Sequence, residues 1–185
     1  LRLQHSVLKL PGDIQGFDRL NLMLQAAGDA VSRVPLSRWS PLAHQCAEAG
    51  CISNLQRFDA PFFGISPAEA AMMDPQQRLV LELGYAALHG HGVAERRVSL
   101  VARSVGVHVA IEHLDWQMLQ LILGSKNDEQ NPSPYAASGE QPHVASGRLA
   151  FALDLQGPAM SVNTACSSGL VAVHLSACAI QSGEC

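Results

Sequence analysis

The segment richest in chemistry is Val162-Asn163-Thr164-Ala165-Cys166-Ser167-Ser168-Gly169, where a short apolar run gives way to a helical pattern at a thiol. A cysteine at a helix N-terminus faces backbone N–H groups without intrahelical partners and the positive end of the helix dipole. Both favour the thiolate, the nucleophilic form of the side chain. The same N–H groups can stabilise the oxyanion formed when a thioester or other acyl carbonyl is attacked. Ser167, Ser168 and Gly169 are small, which leaves room for an acyl chain and a partner catalytic group to approach. Taken bare, the segment also fits a core cysteine that opens a buried helix, because cysteine is among the most buried residue types.

The elements that must position this thiol follow from periodicity and capping signals. Ala159 to Val162 reads as a short strand, preceded by a turn at Gln156-Gly157-Pro158 and by a helix from Pro142 to about Leu153. After Cys166 the pattern is helical from Ser167 to Gln181, with Gly183 as a stop signal. Its apolar residues surround most of the circumference, which predicts a buried helix with Cys178 in apolar surroundings. Upstream, Leu20, Leu24 and Ala27 mark a helix around Phe17–Ala27. Ser66-Pro67-Ala68-Glu69 has capping-box spacing with proline at the first helical position. Asp74-Pro75 repeats the start signal for a helix over 75–89, with Asp74 as its cap. Val105, Val107, Val109 and Ile111 alternate as a strand covered on both sides, and a further helix runs from Asp115 to Leu123. Asn127 to Pro134 reads as a loop. Strands alternating with helices predict an α/β fold with at least partly parallel strands.

Composition excludes several classes. Apolar residues make up 48 % of the 185 and charged residues 15 %, the opposite of a disordered chain. The net charge is −4 and no basic cluster exceeds Arg96-Arg97, so the stripe of a nucleic-acid reader is missing. The apolar runs Leu79–Leu88 and Leu119–Leu123 are short or interrupted, and no run is expected to reach the ~18 residues of a membrane span. No signal peptide opens the chain, whose first residue is Leu1. Five irregularly spaced cysteines predict free thiols in a reducing compartment, hence a cytoplasmic protein, with organellar targeting left open by the missing start.

The stretch from Val162 to His174 resembles the active-site signature of β-ketoacyl synthases, particularly the ketosynthase domains of type I polyketide synthases. Phe58-Asp59-Ala60-Pro61-Phe62-Phe63-Gly64-Ile65-Ser66-Pro67 and Met73-Asp74-Pro75-Gln76-Gln77-Arg78 are similar to two further family stretches. Ser146-Gly147-Arg148-Leu149-Ala150, Leu155-Gln156-Gly157-Pro158 and Ser182-Gly183-Glu184-Cys185 extend the match in order. The resemblance implies a thiolase-like, layered αβαβα fold in a protein that is usually a homodimer. It implies a decarboxylative Claisen condensation, with Cys166 acylated by a phosphopantetheine thioester. The partner would be an acyl carrier protein bearing the phosphopantetheine, with no cofactor held by the chain itself. Fatty-acid and polyketide products both fit.

The chain departs from the family at three places. Asn163 and Gly169 stand where the family more often has Asp and Ser, and Leu1 to Leu8 does not match its first strand. The family's catalytic histidines and lysine fall beyond Cys185, so residues 1–185 are expected to be the N-terminal part of the domain, truncated at the C-terminal end and at the N-terminal end too. Alone, they are expected to accept an acyl group without condensing it. A non-catalytic structural remnant is the competing reading. His174 lies two turns along the helix from Cys166, and His143 on the preceding helix is the nearest local substitute for a base. His5, His89, His91 and His113 read as surface residues, and His108 as a strand residue with a local partner. His44, Cys46 and Cys51 raise a zinc reading, but no second ligand pair accompanies them.

Overall fold

The computed structural model describes residues 6–38, 46–89, 104–112, 115–124, 135, 138–139 and 141–185, so His5, His44, His91, His113 and the loop expected over 127–134 lie outside the described residues. The chain divides into two compact units, Leu3–Arg57 and a larger one containing Phe58–Cys185. In the first, β1 (Lys9–Leu10) and β2 (Ile14–Gln15) form an antiparallel hairpin around Pro11-Gly12-Asp13. The helix α1 (Phe17–Gln25) follows and ends two residues before the expected Ala27, which adopts a left-handed φ of 48°. A second antiparallel ladder joins β3 (Ser32–Arg33) to β4 (Glu48–Ala49). The Arg38 guanidinium donates to the Ile52 carbonyl at 2.7 Å.

The second unit opens with a 3-10 turn, Pro61–Phe63, leading into α2 (Pro67–Met72). The Ser66 hydroxyl accepts the Glu69 N–H at 3.2 Å, the first half of the capping box. The helix α3 (Pro75–His89) begins where Asp74 accepts the Gln76 N–H at 2.7 Å, as the sequence predicts. The strand β5 (Val107–Ala110) precedes α4 (Asp115–Gly124). Next come α5 (Val144–Ala152), β6 (Ala159–Val162) and α6 (Ser168–Ser182). Pro142 lies in the turn before α5, its carbonyl accepting the Ala145 N–H, so that helix starts two residues later than expected. The strands β5 and β6 pair in parallel, from Val107 opposite Ala159 to Ala110 opposite Val162. Both α5 and α6 pack against them.

The core of this unit gathers Ala60, Ile65, Met73, Leu81, Val107, Leu149, Ala150, Leu153 and Leu155. Met73 and Leu81 are fully buried, and each such side chain stabilises the fold by roughly 1.5–3 kcal/mol relative to exposure. Phe58 stacks on Phe63 with ring centres 5.5 Å apart, and Tyr85 meets Phe62 edge-on at 4.9 Å. Gly84 lets α3 and α5 approach, since a Cβ there would stand 2.6 Å from Leu149.

Three expectations fail in this unit. The helix α6 is not buried all round: only Ser168, Ala172 and Ala179 are covered, and Leu170 is 78 % exposed. Its buried positions are small residues, Val171 and Leu175 are half-buried, and Leu170, Val173 and Ile180 point away, so all-round hydrophobicity does not translate into burial among the described residues. Cys178 is correspondingly exposed. Secondly, Ala165–Ser182 is long and apolar enough by composition to cross a membrane, contrary to the reading that no run approaches that length. Serines, His174 and Gln181 interrupt its apolar residues, and α6 packs on β5 and β6. Thirdly, His108 on β5 has both ring nitrogens buried with no hydrogen-bond partner among the described residues, not the local partner expected.

Candidate active site

The strand β6 delivers the chain to Asn163, and five residues later α6 begins. Between them a set of short-range hydrogen bonds bends the backbone around Cys166. The Asn163 side-chain oxygen accepts the Ala165 N–H at 3.1 Å. Ala165 takes a φ of 52°, a left-handed conformation that costs an L-residue roughly 1–2 kcal/mol. The Ser167 hydroxyl lies 2.8 Å from the Thr164 carbonyl oxygen and 2.9 Å from the Thr164 hydroxyl. The Ser168 hydroxyl accepts the Thr164 N–H at 2.8 Å and donates to the Ala165 carbonyl at 2.7 Å. Cys166 sits at the apex of this elbow, exposed and outside any disulfide. An accessible sulfur at the N-terminal end of a fifteen-residue helix is arranged for nucleophilic attack.

The strand that carries the elbow is itself held by buried polar contacts. The Ser161 and Ser146 hydroxyls lie 3.0 Å apart, joining β6 to α5. The Ser161 hydroxyl also lies 3.4 Å from the His143 carbonyl oxygen. Behind α5, the fully buried Gln77 donates to the carbonyls of Gly139 and Gln141, each at 3.1 Å, and accepts from the Arg148 guanidinium at 3.0 Å. Arg148 forms an ion pair with Glu69 and donates to the Ser138 carbonyl. Glu69 therefore spends its carboxylate on Arg148 in place of the reciprocal capping-box bond.

A second polar cluster lies between α3 and α4. The Arg78 guanidinium donates to the Met73 carbonyl at 2.7 Å and sits 5.7 Å from the centre of the Trp116 ring. Burial pushes the Asp74 carboxyl above its usual range, against the lowering pull of its hydrogen bonds with Gln76. Burial likewise lowers Arg78 from its usual value, with Asp74 opposing.

Of the residues weighed as bases, His143 is the residue before α5 and exposed, and His174 lies on α6 with its ring nitrogen 3.6 Å from the Cys178 sulfur. The structure thus pairs His174 with Cys178 and not with Cys166. Sequence spacing could have found that pair, because residues four apart share a helix face. Nothing local could have found Gln77 or Arg148 as partners, since they meet across 71 positions. Among the described residues no three His, Cys, Asp or Glu side chains converge as metal ligands.

The family model for the N-terminal domain of β-ketoacyl synthases matches residues 8–185. The chain belongs to the β-ketoacyl synthase family. It is 38 % identical over 179 residues to a spectinabilin polyketide synthase system protein of Streptomyces orinoci, covering 96 % of this chain and 5 % of that protein. Erythronolide synthase of Saccharopolyspora erythraea is likewise 38 % identical, again with 96 % and 5 % covered. Among solved structures, the ketosynthase from module 6 of the bacillaene synthase of Bacillus subtilis superposes with a TM-score of 0.73 at 28 % identity, covering 97 % of this chain and 30 % of that one. The oxazolomycin ketosynthase domain of Streptomyces albus gives 0.79 at 23 % identity, covering 98 % and 33 %. The fold is the N-terminal portion of the thiolase-like ketosynthase fold, and the chain spans about a third of these ketosynthase structures.

Proposed function

We propose that this β-ketoacyl synthase chain is the acyl-accepting portion of a polyketide-type chain-elongating enzyme, with Cys166 as the residue that carries the growing acyl group. The Cys166 thiolate attacks the carbonyl of an acyl–phosphopantetheine thioester, and a new C–S bond forms through a tetrahedral oxyanion. The old C–S bond then breaks, and the pantetheine sulfur leaves as a thiolate that takes up a proton. In the second half-reaction a malonyl-type extender loses CO₂, and its carbanion carbon attacks the acyl-Cys166 carbonyl. The Cys166 thiolate leaves, and a β-ketoacyl thioester remains on the carrier. We assign no residue of this chain to proton handling or enolate stabilisation in that second step.

The observation that carries this reading is the exposed Cys166 sulfur at a braced strand-to-helix elbow, in a family whose relatives are polyketide synthases. An acyl carrier protein bearing phosphopantetheine is the partner we infer, with the parent enzyme a homodimer in the cytoplasm. Incubation of the chain with an acyl-pantetheine thioester, followed by peptide mass spectrometry, tests the assignment. The expected result is one acyl group on Cys166, abolished in Cys166→Ala. An acyl group on another cysteine, or none on any, overturns it.

A further inference from the structure

We propose that Ser168 is the positioning residue of this site, acting through the backbone to hold Cys166 in its reactive place. The inference rests on Cys166 being the acylated thiol, and it concerns how the chain keeps that thiol where it is. Ser168 is only 6 % exposed, although residues 163–167 and 169–170 around it are open to solvent. Its hydroxyl uses both capacities, accepting the Thr164 N–H at 2.8 Å and donating to the Ala165 carbonyl at 2.7 Å. These two bonds close a ring of backbone with Cys166 inside it. Within that ring Ala165 holds a left-handed φ, which an L-residue leaves unless its neighbours over-determine it.

The other local bonds restrain less. The Asn163 bond reaches only two residues ahead and lies before the thiol. The Ser167 hydroxyl touches only Thr164, and its residue is exposed. Backbone bonds span the cysteine as well, from the Ser167 N–H to the Thr164 carbonyl at 3.3 Å and from the Ser168 N–H to the Ala165 carbonyl at 3.1 Å. Among the described side chains, however, the buried Ser168 hydroxyl is the one that engages both Thr164 and Ala165, and so sets where the thiol stands relative to the start of α6. Loss of the hydroxyl takes the acceptor from the Thr164 N–H and one of two donors from the Ala165 carbonyl, leaving the bend on its remaining bonds and loosening the place of the sulfur. A displacement of about 1 Å at a nucleophile can cost as much as a hundredfold in rate.

The test uses the whole chain with two readouts in one sample. Rates of acyl transfer from an acyl-pantetheine thioester, and of iodoacetamide alkylation between pH 6 and 9, are mapped peptide by peptide for Cys166 and Cys178. In Ser168→Ala, acylation and alkylation at Cys166 fall by roughly tenfold across the pH range, with Cys178 unchanged. Ser168→Thr, which keeps the hydroxyl, recovers most of the Cys166 rate. Should the threonine variant fail to fold by circular dichroism, the Cys166-to-Cys178 rate ratio of Ser168→Ala against the unsubstituted chain still decides. A merely structural serine would shift both cysteines together, and that outcome overturns the proposal. So does an unchanged ratio in a chain whose Cys166 accepts the acyl group normally. If the unsubstituted chain acylates a different thiol, it is the functional reading that fails.

Discussion

Cys166 and Cys178 stand twelve residues apart, the first just before α6 and the second within it. Both sulfurs are exposed. Cys178 has a side-chain partner, the His174 ring nitrogen at 3.6 Å, and lies in the middle of α6. Cys166 sits before the first turn, inside a backbone bend that four side chains from Asn163, Thr164, Ser167 and Ser168 hold in shape. One thiol has a side-chain neighbour, the other a position at a strand-to-helix junction. The difference teaches that a hydrogen-bonding imidazole and a place at a helix start are separate features of a thiol's surroundings. Under the proposed function the second matters more, because mid-helix N–H groups are all bonded within the helix, whereas a helix start leaves some free to meet an oxyanion.

The sharpest way to break the contrast is to move the strand that carries Cys166. A Cβ at Gly157 would stand 2.5 Å from the Val105 carbonyl carbon, so Gly157→Ala must push β6 away from β5. We expect a loss of about 1–3 kcal/mol in stability, with overpacking as the cause. Chemical denaturation measures it, and alkylation should slow at Cys166 more than at Cys178. Equal slowing would mean that the two thiols share one platform after all.

A smaller effect should isolate the other side of the comparison. His174→Ala removes the imidazole beside Cys178 and should slow its alkylation by roughly threefold while leaving Cys166 untouched, since an adjacent His assists thiolate attack. Peptide-resolved labelling reads both sites at once. Any matching fall at Cys166 would show that His174 reaches the elbow.

The smallest expected effect lies far from both thiols. Burial raises the Asp74 carboxyl, so the folded chain holds that proton more tightly than the unfolded chain. Stability from this group is therefore greatest in acid and is lost as pH rises past the ordinary value of 3.8 and through the raised one. Asp74→Asn should flatten that fall in melting-temperature measurements between pH 3 and 7, without altering the ratio of Cys166 to Cys178 labelling. A variant that steepens it would reverse the assignment of desolvation as the leading cause.

Much of this arrangement was legible in short stretches of sequence. Ser66 and Asp74 start the helices their side chains predict, and the junction after Val162 bends where a strand pattern meets a helical one. Those signals are local, governed by bonds two to four residues long. Partners chosen across the chain left no such trace. Glu69 reads as half of a capping box and is instead spent on Arg148, 79 positions away. His108 reads as a strand residue with a partner and has none among the described residues. The outer face of α6 shows why apolar composition predicts a tendency to be covered, whereas coverage depends on what the rest of the fold supplies.

Gln77 shapes the site in one more way, through time. Its bonds to the carbonyls of Ser138, Gly139 and Gln141 close loops of 61 to 64 positions. The parallel register of β5 with β6 spans 52 more residues of numbering in the same direction. Loop-closure entropy must be overcome before such contacts reward the chain, and non-local pairings fold slowly. The platform under Cys166 is thus assembled from segments that meet only after long stretches of chain have been brought together.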